Sequence, residues 1–336
     1  VAPSDYFMEK TGTFPGQYVS ERDLIADLAK ALAAENIKLM VYTTADGPIS
    51  APEQIRAGLG VVDTQAGPAA RASMKAMITE WSLRWGSSIA GWWIDGCYPG
   101  VAGYGNPSDG EQNIDALLAA TLAGNPEALT TCNPSAQRWN SLSRVQNYMA
   151  GEEDFFHRYP SDTPETFKGK ELIWHVVSYL GDRWGDGQQV RYPPEQLASY
   201  IQHVSDRSGV VTIDMGVQES GALFPWQLQA MSQVKRIVRD GVRPVTNNLA
   251  LYKTARLMSH TTNEELPTNG ALWMHYAYYG VDGVVDIGNG ITSNRFAMPG
   301  NEWAWSFLLD LDVKTDFSRA ILTFPDTNFP TNFDLE

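Results

Sequence analysis

The most informative stretch of this sequence is Ile89-Ala90-Gly91-Trp92-Trp93-Ile94-Asp95-Gly96-Cys97-Tyr98. An apolar run of strand length ends in one carboxylate, Asp95, and breaks at Gly96 into a loop rich in Gly and Pro. In barrels of alternating strands and helices the chemistry lies at the carboxyl ends of the strands, so an acid at the last position of a strand is a candidate catalytic residue. An Asp-Gly pair also caps turns in unrelated proteins, and this stretch alone leaves both interpretations open.

The composition indicates a globular protein with a neutral substrate. Hydrophobic residues make up 43% of the 336 residues and aromatic residues 11%, and the eleven tryptophans suit either a large core or surfaces that stack on sugar rings. The formal net charge is -14, whereas a nucleic-acid partner requires clustered Lys and Arg. We therefore predict no nucleic-acid partner.

The two cysteines, Cys97 and Cys132, belong to no CxxC motif and no Cys/His cluster. Neither a disulfide framework nor a metal site is predicted, and both residues are expected to serve packing. No run is long and apolar enough to span a bilayer, so no membrane insertion is predicted. The sequence opens on Val1 without Met or a signal-like segment, and we expect that processing or truncation has removed what came before.

Helical and strand patterns alternate up to Gly241. This alternation favours a parallel sheet, most economically closed as a (β/α) TIM-type barrel, but only five or six strands are evident where a barrel has eight, and we expect the shortfall before Val1. The segments Val1–Val19 and Thr43–Gly67 are predicted loops. The predicted strands are Ile37–Tyr42, Ile89–Asp95, Ala128–Cys132, Ser143–Tyr148, Leu172–Tyr179 and Val210–Met215, and the predicted helices are Leu24–Asn36, Pro68–Trp85, Gln112–Leu122, Pro194–Ser205 and Pro225–Arg239.

The pattern changes after Gly241, where we place a domain boundary. Residues 242–246 have the composition of a linker, and residues 247–336 are rich in Asn, Gly, Thr and aromatics. Short alternating segments such as Ser306–Leu311 and Arg319–Phe324 predict an all-β sandwich or jelly roll.

Carboxylates that follow predicted strands are the candidates for chemistry. Hydrolysis of a sugar linkage needs two of them, one at the anomeric carbon and one that exchanges a proton with the leaving oxygen. Asp95 is the first candidate, and the acidic run Glu152-Glu153-Asp154 supplies the second, because neighbouring carboxylates raise one another's pKa. Taken alone, such a run is more typical of an exposed, solvated loop. Asp214 also lies at the end of a predicted strand and is expected to be structural.

The pair Trp174-His175 lies in another predicted strand. A lone His in such a position is more often a hydrogen-bonded core residue than a base, although beside Trp it would also suit contact with a sugar hydroxyl. The sequence has no Ser-His-Asp spacing, no P-loop and no dinucleotide-binding fingerprint.

In the order of these segments, residues 1–240 resemble the α-L-fucosidases of glycoside hydrolase family 29. The resemblance rests on Trp92-Trp93-Ile94-Asp95-Gly96, Asp162–Glu165, Trp174-His175, Leu180–Gly185 and Gly209–Asp214. It implies that Asp95 is the nucleophile of a retaining hydrolysis, that Glu152 is the acid/base with Glu153 and Asp154 as alternatives, and that Trp92, Trp93, Trp174 and His175 shape the pocket. The family's usual Trp-Glu is Trp174-His175 here, and its pair of histidines on an earlier strand is absent.

The C-terminal segment resembles a discoidin-like, coagulation-factor type C domain of the galactose-binding fold. The matching landmarks are Asn248–Leu251, Val281-Asp282-Gly283, Ser293–Phe296 and Trp305–Leu311. Such domains end in further strands, so we expect this sandwich to be incomplete at Glu336. The resemblance implies a glycan-binding module, and a structural cap on the barrel is the alternative.

Together these features predict an exo-acting α-L-fucosidase-like glycosidase that needs no metal or organic cofactor, acts on an oligosaccharide or polysaccharide and is periplasmic or secreted. Two alternatives stay open: a retaining glycosidase for another sugar on the same scaffold, and a catalytically silent glycan-binding protein. Retaining catalysis requires a second carboxyl within about 5–5.5 Å of Asp95, whereas a silent binder has no such requirement.

Overall fold

The computed structural model describes residues 1–45, 47, 51–61, 67–98, 104, 113–136, 138–154, 156, 158, 160, 166–167, 170–242, 254–259 and 305–310. The chain forms two compact units. The first contains Val1–Tyr179 and Val204–Asp214, and the second contains Leu180–His203 and Met215–Glu336. The predicted boundary near Gly241 does not coincide with this division and stays a prediction.

Three parallel strands form one sheet of the first unit in chain order. They are β1 (Leu39–Thr44), β2 (Ile89–Asp95) and β3 (Leu129–Cys132). The register pairs Thr44 with Asp95 and Ile94 with Cys132, so the carboxyl ends of the three strands lie at one edge of the sheet. The strand predicted to deliver Asp95 is therefore confirmed, and two parallel neighbours flank it.

An irregular segment, residues 147–153, lies between β3 and the next parallel strand pair. That pair consists of β6 (His175–Tyr179) and β7 (Val210–Asp214). The Asn147 amide donates to Thr130 O (3.1 Å), the Met149 amide to Ile173 O (3.0 Å), and the Val177 amide to Gly151 O (2.8 Å). Five of the six predicted strands are therefore confirmed as β1, β2, β3, β6 and β7. The predicted strand Ser143–Tyr148 is not formed: only Tyr148 makes an isolated bridge, to Ile173, and the irregular segment 147–153 lies in its place.

Within the described ranges, no strand pairing closes these segments into a barrel. The α/β class and the parallel strands are confirmed, and the (β/α) barrel itself stays a prediction. A short antiparallel hairpin, β4 (Thr166–Phe167) with β5 (Lys170–Glu171), was not predicted.

All five predicted helices are present, with ends within two residues of the expected ones. The helices are α1 (Asp5–Thr11), α2 (Leu24–Ala34), α3 (Glu53–Gly58), α4 (Pro68–Trp85), α5 (Ile114–Thr121), α6 (Pro194–Asp206) and α7 (Pro225–Val238), and a single 3₁₀ turn covers Gly86–Ser88. Asp23 caps α2 by accepting from the Ala26 amide (3.0 Å), Pro68 begins α4, and Gly86 ends α4 at φ 50°.

Two of these helices correct the sequence prediction. The segments Val1–Val19 and Thr43–Gly67 were expected to be loops, yet they contain α1 and α3. Both helices have only one or two turns, which is too short for a hydrophobic period to be recognised in the sequence. Contacts with the rest of the unit stabilise helices of this length.

The core of the first unit lies on one side of β2. Strand side chains alternate between the two faces of a sheet, so Trp92 and Ile94 point into the core whereas Trp93 and Asp95 point to the opposite face. Trp92 is 1% exposed and stacks on Trp85 of α4, at 5.9 Å between ring centroids. The predicted core positions of α4, Met74, Met77, Ile78, Trp81 and Trp85, are all buried. Cys97 and Cys132 are also buried, and no disulfide joins them.

In the C-terminal segment the structure describes one strand pair. Strand β8 (Thr254–Ser259) pairs antiparallel with β9 (Trp305–Asp310), which overlaps the predicted segment Ser306–Leu311. The other landmarks of the discoidin resemblance and the segment Arg319–Phe324 lie outside the described residues. The β-sandwich stays a prediction.

The N-terminus of α1 is held by a carboxylate from α4. Glu80 accepts from the Ser4 hydroxyl (2.7 Å) and from the amides of Asp5 (2.7 Å) and Tyr6 (3.1 Å). We predict that Glu80→Ala lowers the free energy of unfolding by about 1–2 kcal/mol, because these donors lose their acceptor. Urea denaturation measures the change. The control is Glu9→Ala, which changes an exposed residue of α1. An equal loss of unfolding free energy in both variants would contradict this role of Glu80.

Candidate active site

Four polar side chains meet where the parallel strands end. Asp95 is the last residue of β2, Asn133 follows β3, and Glu152 lies in the irregular segment 147–153. Tyr42 lies on β1, where its backbone pairs with that of Trp93. The ends of β2 and β3, the irregular segment 147–153 and the strand β1 therefore all contribute to a single cluster.

The centre of this cluster is the side-chain amide of Asn133. Its Nδ2 atom donates to Asp95 Oδ1 (2.9 Å) and to Glu152 Oε2 (2.5 Å). An amide nitrogen has two hydrogens, so each carboxylate receives one. Since both oxygens lie this close to one nitrogen, Asp95 Oδ1 and Glu152 Oε2 are no more than about 5.5 Å apart, an upper limit that is compatible with the carboxyl spacing of retaining glycosidases.

Further donors surround Asp95. Oδ1 also accepts from the Gly96 amide (2.8 Å) and the Tyr98 hydroxyl (3.2 Å), and Oδ2 accepts from the Tyr42 hydroxyl (2.7 Å). Among the described residues, three donors thus converge on Oδ1 and one on Oδ2. Burial and the hydrogen bond to Asp95 raise the pKa of Tyr42 above its ordinary value, so its hydroxyl keeps its proton. An ionised carboxylate, which only accepts hydrogen bonds, fits this set of donors.

The environment of Glu152 favours the protonated acid. Burial raises the pKa of this carboxyl above its ordinary value, and the negative charges of Asp95 and Asp154 raise it further. The hydrogen bond from Asn133 acts in the opposite direction but does not cancel the shift. Two neighbouring carboxylates in different surroundings are a common arrangement for acid and base roles.

The backbone at Gly151 explains how Glu152 reaches this position. Gly151 has φ 66°, a left-handed conformation that side chains disfavour, and a Cβ atom there would lie 1.9 Å from the backbone oxygen of His175. The chain therefore turns and passes against β6 at a point where only glycine fits. The next residue, Glu152, forms a parallel bridge with Val177.

Glu153 lies in different surroundings from its neighbour. It is 1% exposed, accepts from the indole Nε1 of Trp139 and forms an ion pair with Arg158 (2.8 Å). Burial raises its pKa, and Trp139 and Arg158 oppose the shift. The acidic run is thus not a solvated loop, because Glu152 is partly buried beside Asp95 and Glu153 is buried in an ion pair.

The structure distributes the four predicted pocket residues over different surroundings. Trp93 lies on the same face of β2 as Asp95, stacks on Tyr42 at 5.5 Å and donates to Ala150 O (3.0 Å). Trp174 is buried and stacks on Trp139 at 5.1 Å. Trp92 is part of the core on the other side of the sheet. His175 is 4% exposed and uses both ring nitrogens in hydrogen bonds within the protein.

Three residues of the cluster were missed from the sequence. Asn133 directly follows the predicted strand Ala128–Cys132, and Tyr42 ends the predicted strand Ile37–Tyr42, so the rule that selected Asp95 would also have selected them. Tyr98 lies three residues beyond Asp95. Carboxylates at strand ends indicate acid and base chemistry, whereas neutral hydrogen-bond donors such as Asn and Tyr have no comparable signal in the sequence.

In the part of the chain that the structure describes, no group of three or more His, Cys, Asp or Glu side chains could hold a metal ion. No helix in that part has the length and apolar character needed to cross a bilayer.

Solved structures with the same fold are known, although no protein-family model and no curated protein matches this sequence. Endo-fucoidan hydrolase MfFcnA4 from glycoside hydrolase family 107 superposes with a TM-score of 0.55 at 13% identity, over 77% of this chain and 47% of that chain. Endo-fucoidan hydrolase P5AFcnA from the same family gives 0.52 at 15% identity, over 66% and 72%. Alpha-L-fucosidase isoenzyme 1 from Paenibacillus thiaminolyticus gives only 0.48 at 19% identity, over 67% and 55%.

This chain therefore shares its fold with the two endo-fucoidan hydrolases. The chain spans about half the length of MfFcnA4. At these identities the likeness concerns the fold alone, and the chemistry has to be argued from the cluster around Asn133.

Gly151 provides a test of how the site is built. We predict that Gly151→Ala lowers the free energy of unfolding by several kcal/mol, because the new methyl group would overlap the backbone of His175. Gly185→Ala is the matched control, since Gly185 also has a positive φ (76°) but a Cβ atom there would have no other atom within 4 Å, and the change should cost only about 1 kcal/mol. Chemical denaturation measures both, and similar losses would show that the close approach at Gly151 is unimportant.

Proposed function

We propose that this chain is a retaining glycoside hydrolase that acts on α-L-fucosyl linkages. The observation that supports it most is the amide of Asn133, which holds Asp95 and Glu152 within about 5.5 Å of one another. Inverting enzymes place their two carboxyl groups about 6.5–9.5 Å apart to leave room for a water molecule. The two oxygens that Asn133 joins are closer than this, which supports direct attack by one of the two carboxylates.

In this proposal Asp95 is the nucleophile. Three donors occupy Oδ1, so Oδ2 attacks the anomeric carbon, and the Tyr42 hydroxyl moves from Oδ2 as the new bond forms. The bond between the anomeric carbon and the leaving oxygen breaks, and Glu152 gives its proton to that oxygen. The product of this step is a glycosyl ester on Asp95, with Glu152 left ionised.

The second step reverses the role of Glu152. The ionised carboxylate takes a proton from water, the water oxygen attacks the anomeric carbon, and the ester bond to Asp95 breaks. Asp95 and the protonated Glu152 are thereby restored. Throughout, Asn133 can donate to whichever of the two carboxylates is charged.

The sugar and the mode of cleavage rest on different observations. The family resemblance of residues 1–240 favours exo cleavage of terminal α-L-fucose. A second candidate, endo cleavage within a fucose-containing polysaccharide, is favoured by the fold shared with two endo-fucoidan hydrolases. We keep exo cleavage as the first proposal and assay both.

Two other proposals concern the rest of the protein. Residues 242–336 would form a glycan-binding β-sandwich that keeps the catalytic unit on its polymer by raising the effective concentration. A polysaccharide substrate would also place the protein in the periplasm or outside the cell.

Activity on a fucoside tests the proposal and the nucleophile together. We expect the protein to hydrolyse 4-nitrophenyl α-L-fucoside, and Asp95→Ala to lose about 10⁴-fold in rate. Azide should restore turnover of the variant and yield a glycosyl azide, because a small anion can occupy the space of the missing carboxylate. The matched control is Asp214→Ala, which removes the carboxylate of the last residue of β7 and should retain most of the activity.

The same assay separates the alternatives. Release of oligosaccharides from a fucan without hydrolysis of the aryl fucoside would favour endo cleavage. Binding of fucosylated glycans without turnover of either substrate would support the catalytically silent protein and contradict the proposed function.

The pH dependence of kcat/KM should report on Glu152. This residue must be protonated to act as the acid, so kcat/KM falls as the pH rises through its pKa, which burial and Asp95 raise above the ordinary value. Asn133→Ala removes the hydrogen bond that opposes this shift, so the basic limb should move to higher pH while the maximum falls. As a control, Asn113→Ala removes the cap of α5 and should leave the limb unmoved. A shift to lower pH in Asn133→Ala would contradict the assignment of Glu152.

A further inference from the structure

His175 is a buried titratable residue that the proposed mechanism does not use. It begins β6, beside the segment that contains Glu152. Its Nδ1 atom lies 3.0 Å from Met149 O and 3.0 Å from Ala150 O, and its Nε2 atom lies 2.8 Å from the Thr212 hydroxyl. Every polar atom of the ring therefore has a partner inside the protein.

These partners assign the tautomer of the ring. Carbonyl oxygens only accept hydrogen bonds, so Nδ1 must bear the hydrogen and donate it to Met149 and Ala150. Nε2 then has a lone pair and accepts from the Thr212 hydroxyl. Burial lowers the pKa of His175 to about 4, so the ring is neutral near pH 7.

The two carbonyls that share Nδ1 belong to consecutive residues. In a regular strand successive carbonyls point in opposite directions, so a shared donor requires a local kink. The kink occurs immediately before Gly151, whose φ of 66° turns the chain, and Glu152 follows. His175 is thus hydrogen-bonded to the part of the backbone that sets the direction of the Glu152 side chain.

A second donor reaches the same kink from β2. The indole Nε1 of Trp93 donates to Ala150 O (3.0 Å). Trp93 lies two residues before Asp95 and on the same face of β2. The Ala150 carbonyl is therefore held both by the strand that bears Asp95 and by β6. This arrangement links the position of Glu152 to that of Asp95 through the backbone, in addition to the link through Asn133.

We propose that His175 is a positioning residue: its Nδ1–H group holds the kink at Met149 and Ala150 and thereby directs Glu152 towards Asn133 and Asp95. This inference rests on the proposed function of Glu152 as the acid. His175 is 4% exposed and uses both ring nitrogens within the protein, so its role in this proposal is to fix the distance over which Glu152 delivers its proton.

The dependence of the rate on the leaving group tests this role. Phenyl α-L-fucoside needs a proton from the acid, whereas 2,4-dinitrophenyl α-L-fucoside leaves without one. His175→Leu should lower kcat/KM for the phenyl substrate by about 10²-fold, which is the lower range for general acid catalysis. For the dinitrophenyl substrate kcat/KM should change only slightly. His175→Asn, whose amide nitrogen can replace Nδ1, should recover most of the loss.

Two further variants keep the test decisive. Thr212→Val removes the partner of Nε2 but keeps the Nδ1 donor, so it should have a small effect on both substrates. Trp93→Phe removes the other donor to Ala150 but keeps an aromatic ring to stack on Tyr42, the donor to Asp95. It should therefore reproduce the selective loss even if His175→Leu fails to fold. Equal losses of kcat/KM on both substrates would overturn the inference, because a merely structural role lowers both rates alike. This outcome is read from His175→Leu or, if that variant does not fold, from Trp93→Phe.

The outcome also distinguishes this inference from the proposed function. If the wild-type protein cleaves only fucan, the same comparison is made with phenyl and dinitrophenyl glycosides of a fucan oligosaccharide. If it hydrolyses none of these substrates, the proposed function fails, and the positioning role in catalysis fails with it. Imidazole ¹⁵N NMR checks the geometry independently of activity: a neutral ring with its hydrogen on Nδ1 is expected, and a hydrogen on Nε2 would overturn the inference.

Discussion

The two hydrogen bonds from Asn133 are the interaction on which the site depends. Two carboxylates that are partly buried and close together repel one another, and such a pair persists only where donors offset the repulsion. The Asn133 amide supplies a donor to each and also limits the distance between them. Because Asp95 has further donors and Glu152 does not share them, the two groups favour different protonation states.

The fold supplies this arrangement through strand alternation. Trp92 and Trp93 are neighbours in sequence, yet one stacks on Trp85 in the core and the other lies beside Asp95. The stacked core side of β2 keeps the strand fixed, and the opposite side then presents its last residue to the strand ends of β3 and of the segment 147–153. The scaffold therefore determines where the carboxylates of Asp95 and Glu152 lie, as is general for sites at the ends of parallel strands.

Much of the fold and part of the site could be predicted from local sequence. Asp95 was recognisable because an apolar strand, an acid and a glycine follow one another. Glu152 and Glu153 could not be distinguished, since their directions depend on the positive φ of Gly151 and on contacts with residues such as Arg158 that sequence patterns do not reveal. Likewise α1 was missed, because the carboxylate that accepts from its first amides lies about 75 residues away on α4.

The stereochemistry of the first product tests the central claim most directly. In the mechanism that we propose, Asp95 and Glu152 hydrolyse an α-L-fucoside through an ester on Asp95, and the first product is expected to be α-L-fucose. Proton NMR spectra recorded during the first minutes of the reaction, before mutarotation, identify the anomer. A β-anomer as the first product would contradict the account, because inversion needs a water molecule between carboxyl groups that are about 6.5–9.5 Å apart.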